Sequence, residues 1–334
     1  MSRSSYEIVK RAIRFEAPER LPVRMGGFGC DDTMWVPYKS FWRDSEGRDE
    51  WGCLWERTEM KNMGQVKGHP LAGYSEHDRL VCPDYARFLE ADPINAAIEK
   101  ASSESKYTQA GIFMILFERM QSLVGFENAL VGLLTDRENA EAVADKIVDV
   151  HVKLVRLIQD ACGGKLHSFS MTDDWGTQQA AYISFDLWLD FFLPRYKKIF
   201  DAMHEGGQDV WVHSCGKVNE IVQGYIQAGV DVVNLQQPRA LGIEEMGRRY
   251  RGRIAFESLA DIQATLPAGN LEMIDRDAND LAEHWMSSKG GFIFSDYGDG
   301  EAIGAFPESK RAMYASFSRA SERIYGKPLP EIRT

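Results

Sequence analysis

From residue 111 onward the sequence alternates between short apolar runs and longer segments with helical spacing, and this alternation constrains the fold more than any other feature. Strand-like runs fall at 166–171, 210–215, 230–235, 253–257 and 292–295, with helix-like segments at 137–161, 184–204, 218–228, 243–250, 271–288 and 307–325. Strands joined through helices lie parallel, because a direct antiparallel return needs only a short turn. Two further strands are read in the first half, at 21–25 and 111–116, and one more hidden before residue 111 completes a set of eight. The expected fold is therefore α/β, a single-domain (β/α)8 TIM barrel. No GxGxxG or GxxxxGK follows any strand, so nothing favours a doubly wound nucleotide-binding sheet.

Residues 26–83 break the rhythm. They show little periodicity and a high density of aromatics, among them Phe28, Trp35, Tyr38, Phe41, Trp42, Trp51, Trp55 and Tyr74. So long a stretch without structure is uncommon inside a compact domain. It is expected as an insertion or lid near the barrel mouth, with small strands around 49–60. Packing that serves stability alone is the other reading.

Composition narrows the partners. A net charge of −11 is unsuited to nucleic acid or an anionic membrane surface. No apolar run approaches the roughly 20 residues of a membrane span, and residues 1–16 carry charges throughout, unlike a signal peptide. Five cysteines, at 30, 53, 82, 162 and 215, are scattered without CxxC spacing. That pattern fits a reducing compartment, and a cytoplasmic protein is expected.

In a (β/α)8 barrel, chemistry sits on the loops at the carboxyl ends of the strands, and here those ends are polar. They carry Thr172, Asp173, Asp174 and Trp175 after one strand, Gln236 after another, Glu257 after a third, and Ser295, Asp296, Tyr297 and Asp299 after the last. In 210–215, alternation puts Trp211, His213 and Cys215 on one face. An imidazole and a thiol at a strand end make a donor pair suited to zinc. A satisfied core histidine beside a buried thiol is the alternative. There is no GxSxG nucleophile motif, so metal or acid–base chemistry is expected, with His213, Cys215, Asp174, Glu257 and Asp299 lining one cavity. Asp173 and Asp174 are candidates to orient or protonate a leaving oxygen, or else they cap a helix. Glu118, read at the end of the run 111–117, faces the same choice. Trp175 either stacks on a substrate ring or fills the core. Gln236, Glu257 and Tyr297 complete the expected substrate contacts.

Taken in order, EAPERLPV, DEWG, LFERMQSLVGFENAL, TDDWGTQQAAYIS, HSCGKVNEIV, GVDVVNLQQP, DIQATLPAG, GGFIF, FPESKRAM and a final YGK resemble the uroporphyrinogen decarboxylase superfamily over nearly the whole chain. The resemblance implies a (β/α)8 barrel and one of two activities: decarboxylation of porphyrinogens, or cobalamin-dependent methyl transfer by zinc enzymes. The decarboxylase pattern has an RxxGR segment after its first strand that grips carboxylates. Residues 24–32 here hold one arginine, Arg24, and two acids, Asp31 and Asp32. The methyltransferase branch has His-x-Cys at a strand end and a second cysteine in the last loop, all on zinc. His213 and Cys215 match the first two, and Asp299 stands about where the second cysteine would, with Asp296 and Glu257 as competitors. DEWG near the front and DDWG at mid-chain resemble the first methyltransferases of O-demethylase systems. This implies zinc, a small methyl donor such as an aryl methyl ether, and cob(I)alamin carried by a partner corrinoid protein. A homodimer is a further expectation. A decarboxylase-like enzyme and a non-catalytic small-molecule-binding barrel are the alternatives.

Overall fold

The structure, a computed structural model, describes residues 3–57 and 64–332. Its strands in chain order are β1 Val23–Arg24, β2 Thr33–Trp35, β3 Leu54–Glu56, β4 Gln65–Gly68, β5 Tyr107–Ile112, β6 Ser168–Thr172, β7 Asp209–His213, β8 Val232–Asn234, β9 Ala255–Ser258 and β10 Phe292–Ser295. Eight of them form one parallel sheet in the order β1-β10-β9-β8-β7-β6-β5-β2, curled into a nearly closed (β/α)8 barrel. The remaining two, β3 and β4, make a separate antiparallel hairpin.

Two strands differ from the sequence reading. The hidden strand is β2, inside 26–83, where Thr33–Trp35 pairs with Tyr107–Gln109. Three residues are too few to show a period, and Trp35 is exposed at its end. The following strand is Tyr107–Ile112 rather than 111–116, because Thr108 and Gln109 are buried although polar and so interrupt the apolar run. Of the small strands expected around 49–60, Leu54–Glu56 is present, and residues 58–60 lie outside the described ones.

Closure of the barrel depends on Asp32. Its backbone N–H donates to the Val23 carbonyl (2.8 Å), and its Oδ2 accepts from Val23 N–H (2.9 Å), bridging β1 to β2. Arg20 holds the same carboxylate with two bonds, of 2.7 and 2.6 Å. A buried carboxylate in this position is stable only because it is paired.

The outer helices follow the expected segments, with Arg137–Cys162, Ile221–Ala228, Ile243–Tyr250, Leu271–His284 and Pro307–Tyr325 packed around the strands. Ser184 caps its helix by accepting from Leu187 N–H (3.3 Å). Pro194 marks a break, where a π turn at Trp188–Phe192 gives way to the helix Leu193–Glu205.

Two layers fill the lumen. Tyr107, Trp211, Val232, Ala255 and Ile293 form an apolar floor, sealed from below by Val9 and Ile13 of the N-terminal helix Ser5–Ile13. Two residues further along the same strands, and so on the same face, stand Gln109, His213, Asn234, Glu257 and Ser295. The switch from apolar to polar within one strand length puts the chemistry at the carboxyl end. Among the described residues no helix is long and apolar enough to cross a membrane.

Candidate active site

The loops after β6 and β7 touch backbone to backbone. Gly216 has φ +84°, and a Cβ there would lie 2.2 Å from the Gly176 carbonyl oxygen, so the contact requires glycine. Lys217 N–H donates to Thr177 O (2.7 Å) and Trp175 N–H to Ser214 Oγ (3.1 Å). This stitching sets Asp174 beside Cys215, whose N–H donates to Asp174 Oδ1 at 2.8 Å.

His213 completes the group. Its Nε2 lies 3.2 Å from Cys215 Sγ and 3.6 Å from Asp174 Oδ1. Its Nδ1 stands 2.6 Å from Asn234 Oδ1. An amide oxygen only accepts, so the ring proton is on Nδ1 and the Nε2 lone pair faces Cys215 and Asp174. Burial, and after it the charge of Asp174, pushes the Cys215 thiol up, so as it stands the thiol donates to Nε2. The ligand atoms of Asp174, His213 and Cys215 lie within 4.8 Å of one another, the one such group among the described residues. Nitrogen, sulfur and carboxylate oxygen form a donor set that zinc accepts, and three protein ligands leave a fourth position open.

The carboxylate beside the pair is Asp174 rather than Asp299. Asp299 is exposed and accepts from Ala302 N–H (3.1 Å) in a turn of the last loop. Asp296 is bound by Lys310 Nζ at 2.9 Å. The end of β6 is next to the end of β7 in the sheet, so the β6 loop, not the last one, reaches His213.

The two neighbouring aspartates have different tasks. Asp173 is fully buried and accepts from Phe117 N–H (2.9 Å), Glu118 N–H (2.7 Å) and the Tyr196 hydroxyl. It caps the helix Phe117–Val124. Burial raises its carboxyl to about 7, and these three donors offset only part of that rise. Glu118 sits in the first turn of that helix, not at a strand end. Burial, then Asp174 and Asp173, hold its carboxyl well above the usual range, and its Oε2 has no partner among the described residues. Burial thus favours the protonated form of Glu118.

Trp175 belongs to the core. It is fully buried, stacks on Phe117 with ring centroids 4.0 Å apart, and donates from Nε1 to the Tyr196 hydroxyl (3.0 Å). Glu257 is also withdrawn, 1% exposed, with Oε1 accepting from Arg24 Nη1 at 2.6 Å. The cavity of about 610 Å³ over the cluster is lined instead by Glu118, Asp174, His213 and Cys215, by Gln236 and Tyr297, and by apolar walls that include Trp55, Phe113 and Phe126. Trp55 comes from the hairpin of the 26–83 stretch. Its Nε1 donates to Asp49 Oδ2 (3.0 Å), which also accepts from the fully buried Arg119 at 2.9 Å. Asp49 thus ties the cavity wall to the helix that carries Glu118.

Asn234 and Arg119 are the positions of the candidate site that motif reading misses. Asn234 alternates with Val232 and so shares the lumen face, a signal present in the sequence. Nothing local marks Arg119, because its partners lie some 70 residues away.

Residues 61–313 match the family model described as Uroporphyrinogen decarboxylase (URO-D). The chain belongs to this family. Among solved structures, a methyltransferase from Methanosarcina mazei is 14% identical and superposes with a TM-score of 0.71, over 95% of this chain and 98% of that one. At this identity the likeness establishes the barrel. An L-ribulose 3-epimerase (11% identical, TM-score 0.44, 76% of this chain and 93% of that one) and a D-psicose 3-epimerase from Clostridium cellulolyticum H10 (12%, 0.39, 71% and 83%) are more distant. No curated protein matches the sequence. At the mouth of this chain the first-strand arginine, Arg24, is neutralised by Glu257.

Proposed function

We propose that this chain is a corrinoid-dependent methyltransferase that moves a methyl group from a small donor, an aryl methyl ether in the first instance, to cob(I)alamin on a partner corrinoid protein. The observation that carries the reading is the Asp174–His213–Cys215 group with protonated Glu118 beside it, on the wall of an apolar-sided cavity. The near full-length likeness to a methyltransferase barrel supports it. A porphyrinogen polycarboxylate suits the site less well, since Arg24 is paired and the remaining charges around the cavity are acidic.

Methyl transfer from an ether is an SN2 displacement with a poor alkoxide or phenoxide leaving group, so negative charge on oxygen has to be neutralised. A zinc ion held by Asp174, His213 and Cys215 would supply Lewis acidity at that oxygen. Asn234 keeps His213 in the tautomer whose Nε2 is free to bind. Glu118 gives its proton to the oxygen as the methyl–oxygen bond breaks. The electron pair of that bond stays on oxygen, and the methyl group leaves with cob(I)alamin. Trp55, Phe113 and Phe126 enclose the apolar part of the donor and exclude water.

The test is to incubate zinc-loaded protein with cob(I)alamin and a panel of methoxylated aromatics, alcohols and methylamines, following conversion to methylcobalamin by absorbance. Conversion with at least one donor, lost in His213→Ala, is the expected result. No conversion with any donor, at full zinc occupancy, overturns the proposal.

A further inference from the structure

Trp35 ends β2 at the carboxyl face of the barrel and is 47% exposed, yet two other strands hold its ring. In β5, a Cβ on Gly111 would lie 2.3 Å from Cζ2 of the ring and 2.8 Å from Cη2. Gly111 is inside a strand and its φ is outside the left-handed range, so its backbone does not call for glycine. A glycine there weakens the strand and marks the close approach of another group. That group is the edge of the Trp35 ring. From β1, the Arg24 guanidinium lies 5.8 Å from the ring centroid. β1 and β2 are the two ends of the sheet order, so the ring is fixed at the seam of the barrel.

The ring lines two cavities, each within the size range of small-molecule sites. One, of about 350 Å³, begins at the candidate site. It shares Phe113, Thr172, His213 and Gln236 with the cavity over the Asp174–His213–Cys215 group, and Gly111 and Trp35 are in its wall. The other, of about 500 Å³, is a groove between residues 37–41 and the start of the helix Ala91–Ser103, walled by Pro37, Tyr38, Phe41, Phe88 and Pro93 among others. Among the described residues, Trp35 is the one that the two have in common. A molecule that starts at His213 and extends along the first therefore meets the Trp35 ring before it can enter the second.

We infer that Trp35 is a specificity-determining residue, a partition that limits how far the methyl donor extends from His213. Compact donors fit on the inner side, and extended ones clash with the ring. That the ligand is a methyl donor rests on the methyl-transfer reading, whereas the partition is read by binding alone.

The experiment uses 3-methoxybenzyl alcohol and its two biphenyl homologues, in which a para- or meta-phenylene is inserted between the same end groups. Calorimetry on the zinc-loaded protein without cob(I)alamin gives the affinities. Wild type should bind the one-ring alcohol about tenfold or more tightly than either homologue, the scale of one steric clash in a packed site. Trp35→Ala joins the two cavities, so at least one homologue should gain about tenfold relative to the one-ring alcohol, at unchanged zinc content. Gly111→Ala keeps the tryptophan but displaces its ring, the far end of an exposed side chain, and should shift the same ratio in the same direction. Acrylamide quenching of fluorescence reads that displacement, since Trp35 is the one exposed tryptophan among the described residues. Near-UV circular dichroism confirms that each variant is folded, and if Trp35→Ala is not, Gly111→Ala decides alone. A homologue bound by wild type as tightly as the one-ring alcohol overturns the inference. So does an unchanged ratio in either folded variant. Methyl transfer is read separately. A ratio that shifts as expected, without methyl transfer to cob(I)alamin from any donor, keeps the partition and sinks the methyltransferase reading. Methyl transfer with no such shift sinks the partition alone.

Discussion

Asn234 Oδ1 stands 2.6 Å from His213 Nδ1, and that contact determines which ring nitrogen faces Asp174 and Cys215. The two residues are in register on adjacent strands, so the orienting bond is built into the sheet rather than into a loop. Partners of this kind fix the tautomer and raise the basicity of a ligating histidine. Asn234→Ala should lower zinc affinity about 10- to 100-fold, measured by competition with a chromophoric chelator. Asn234→Asp, which keeps an acceptor at Nδ1, should retain most of it. Equal affinity in wild type and Asn234→Ala would remove the orienting role.

The purified protein should carry about one zinc per chain, as expected of a site with three protein ligands. His213→Ala, Cys215→Ser and Asp174→Ala should each lose it, whereas Asp299→Ala should not. Metal analysis after purification without chelator reads all five proteins. Less than roughly a tenth of an equivalent in wild type would mean that the group acts through hydrogen bonds and proton transfer alone.

How far the sequence speaks for itself can be judged from these same residues. The strands from β6 to β10 are legible because short segments with apolar centres stand between helices of clear period. His213 and Cys215 are legible because alternation puts them on the lumen face with Trp211, which lies in the apolar floor. The third member of the group is not. Choosing Asp174 over Asp299 depends on which loop leans toward β7, and that follows from the 2.2 Å approach a Cβ at Gly216 would make to Gly176 O, a contact no spacing rule encodes. Trp175 looks like a substrate platform in TDDWG, yet its ring points away from the mouth to stack on Phe117. Strand β2 leaves no mark at all, being three residues long with an exposed tryptophan at its end.

Glu118 predicts a pH dependence of defined sign. In the folded chain its carboxyl holds the proton well above the usual carboxylate range, chiefly because it is buried. The native state therefore keeps a proton that the unfolded chain releases. The stability this contributes is complete below the unfolded value and is lost as pH rises toward the folded one. Glu118→Gln cannot lose a proton, so its melting temperature relative to wild type should climb between about pH 5 and about pH 8. Methyl transfer by the variant should fall roughly 100-fold, the scale of a lost general acid. A melting-temperature difference that stays flat across that window would show that Glu118 is ionised in the folded protein.

Gly216→Ala tests whether the two strand-end loops must touch. An alanine at φ +84° is strained in any surroundings, by about 1 kcal/mol. At this position its Cβ would also meet Gly176 O at 2.2 Å, so the loops have to part. Parting them pulls Asp174 away from the Cys215 N–H that now holds it at 2.8 Å, and with it one of the three proposed metal ligands. Gly207→Ala is the control, since Gly207 has φ +83° but nothing within 4 Å of an added Cβ. Both variants should melt a few degrees lower, as roughly 1 kcal/mol implies for a chain of this size. Only Gly216→Ala should lose zinc in the chelator competition, with an effect approaching that of Asp174→Ala. If it binds zinc as tightly as Gly207→Ala does, the backbone contact is incidental and Asp174 is held by its own loop.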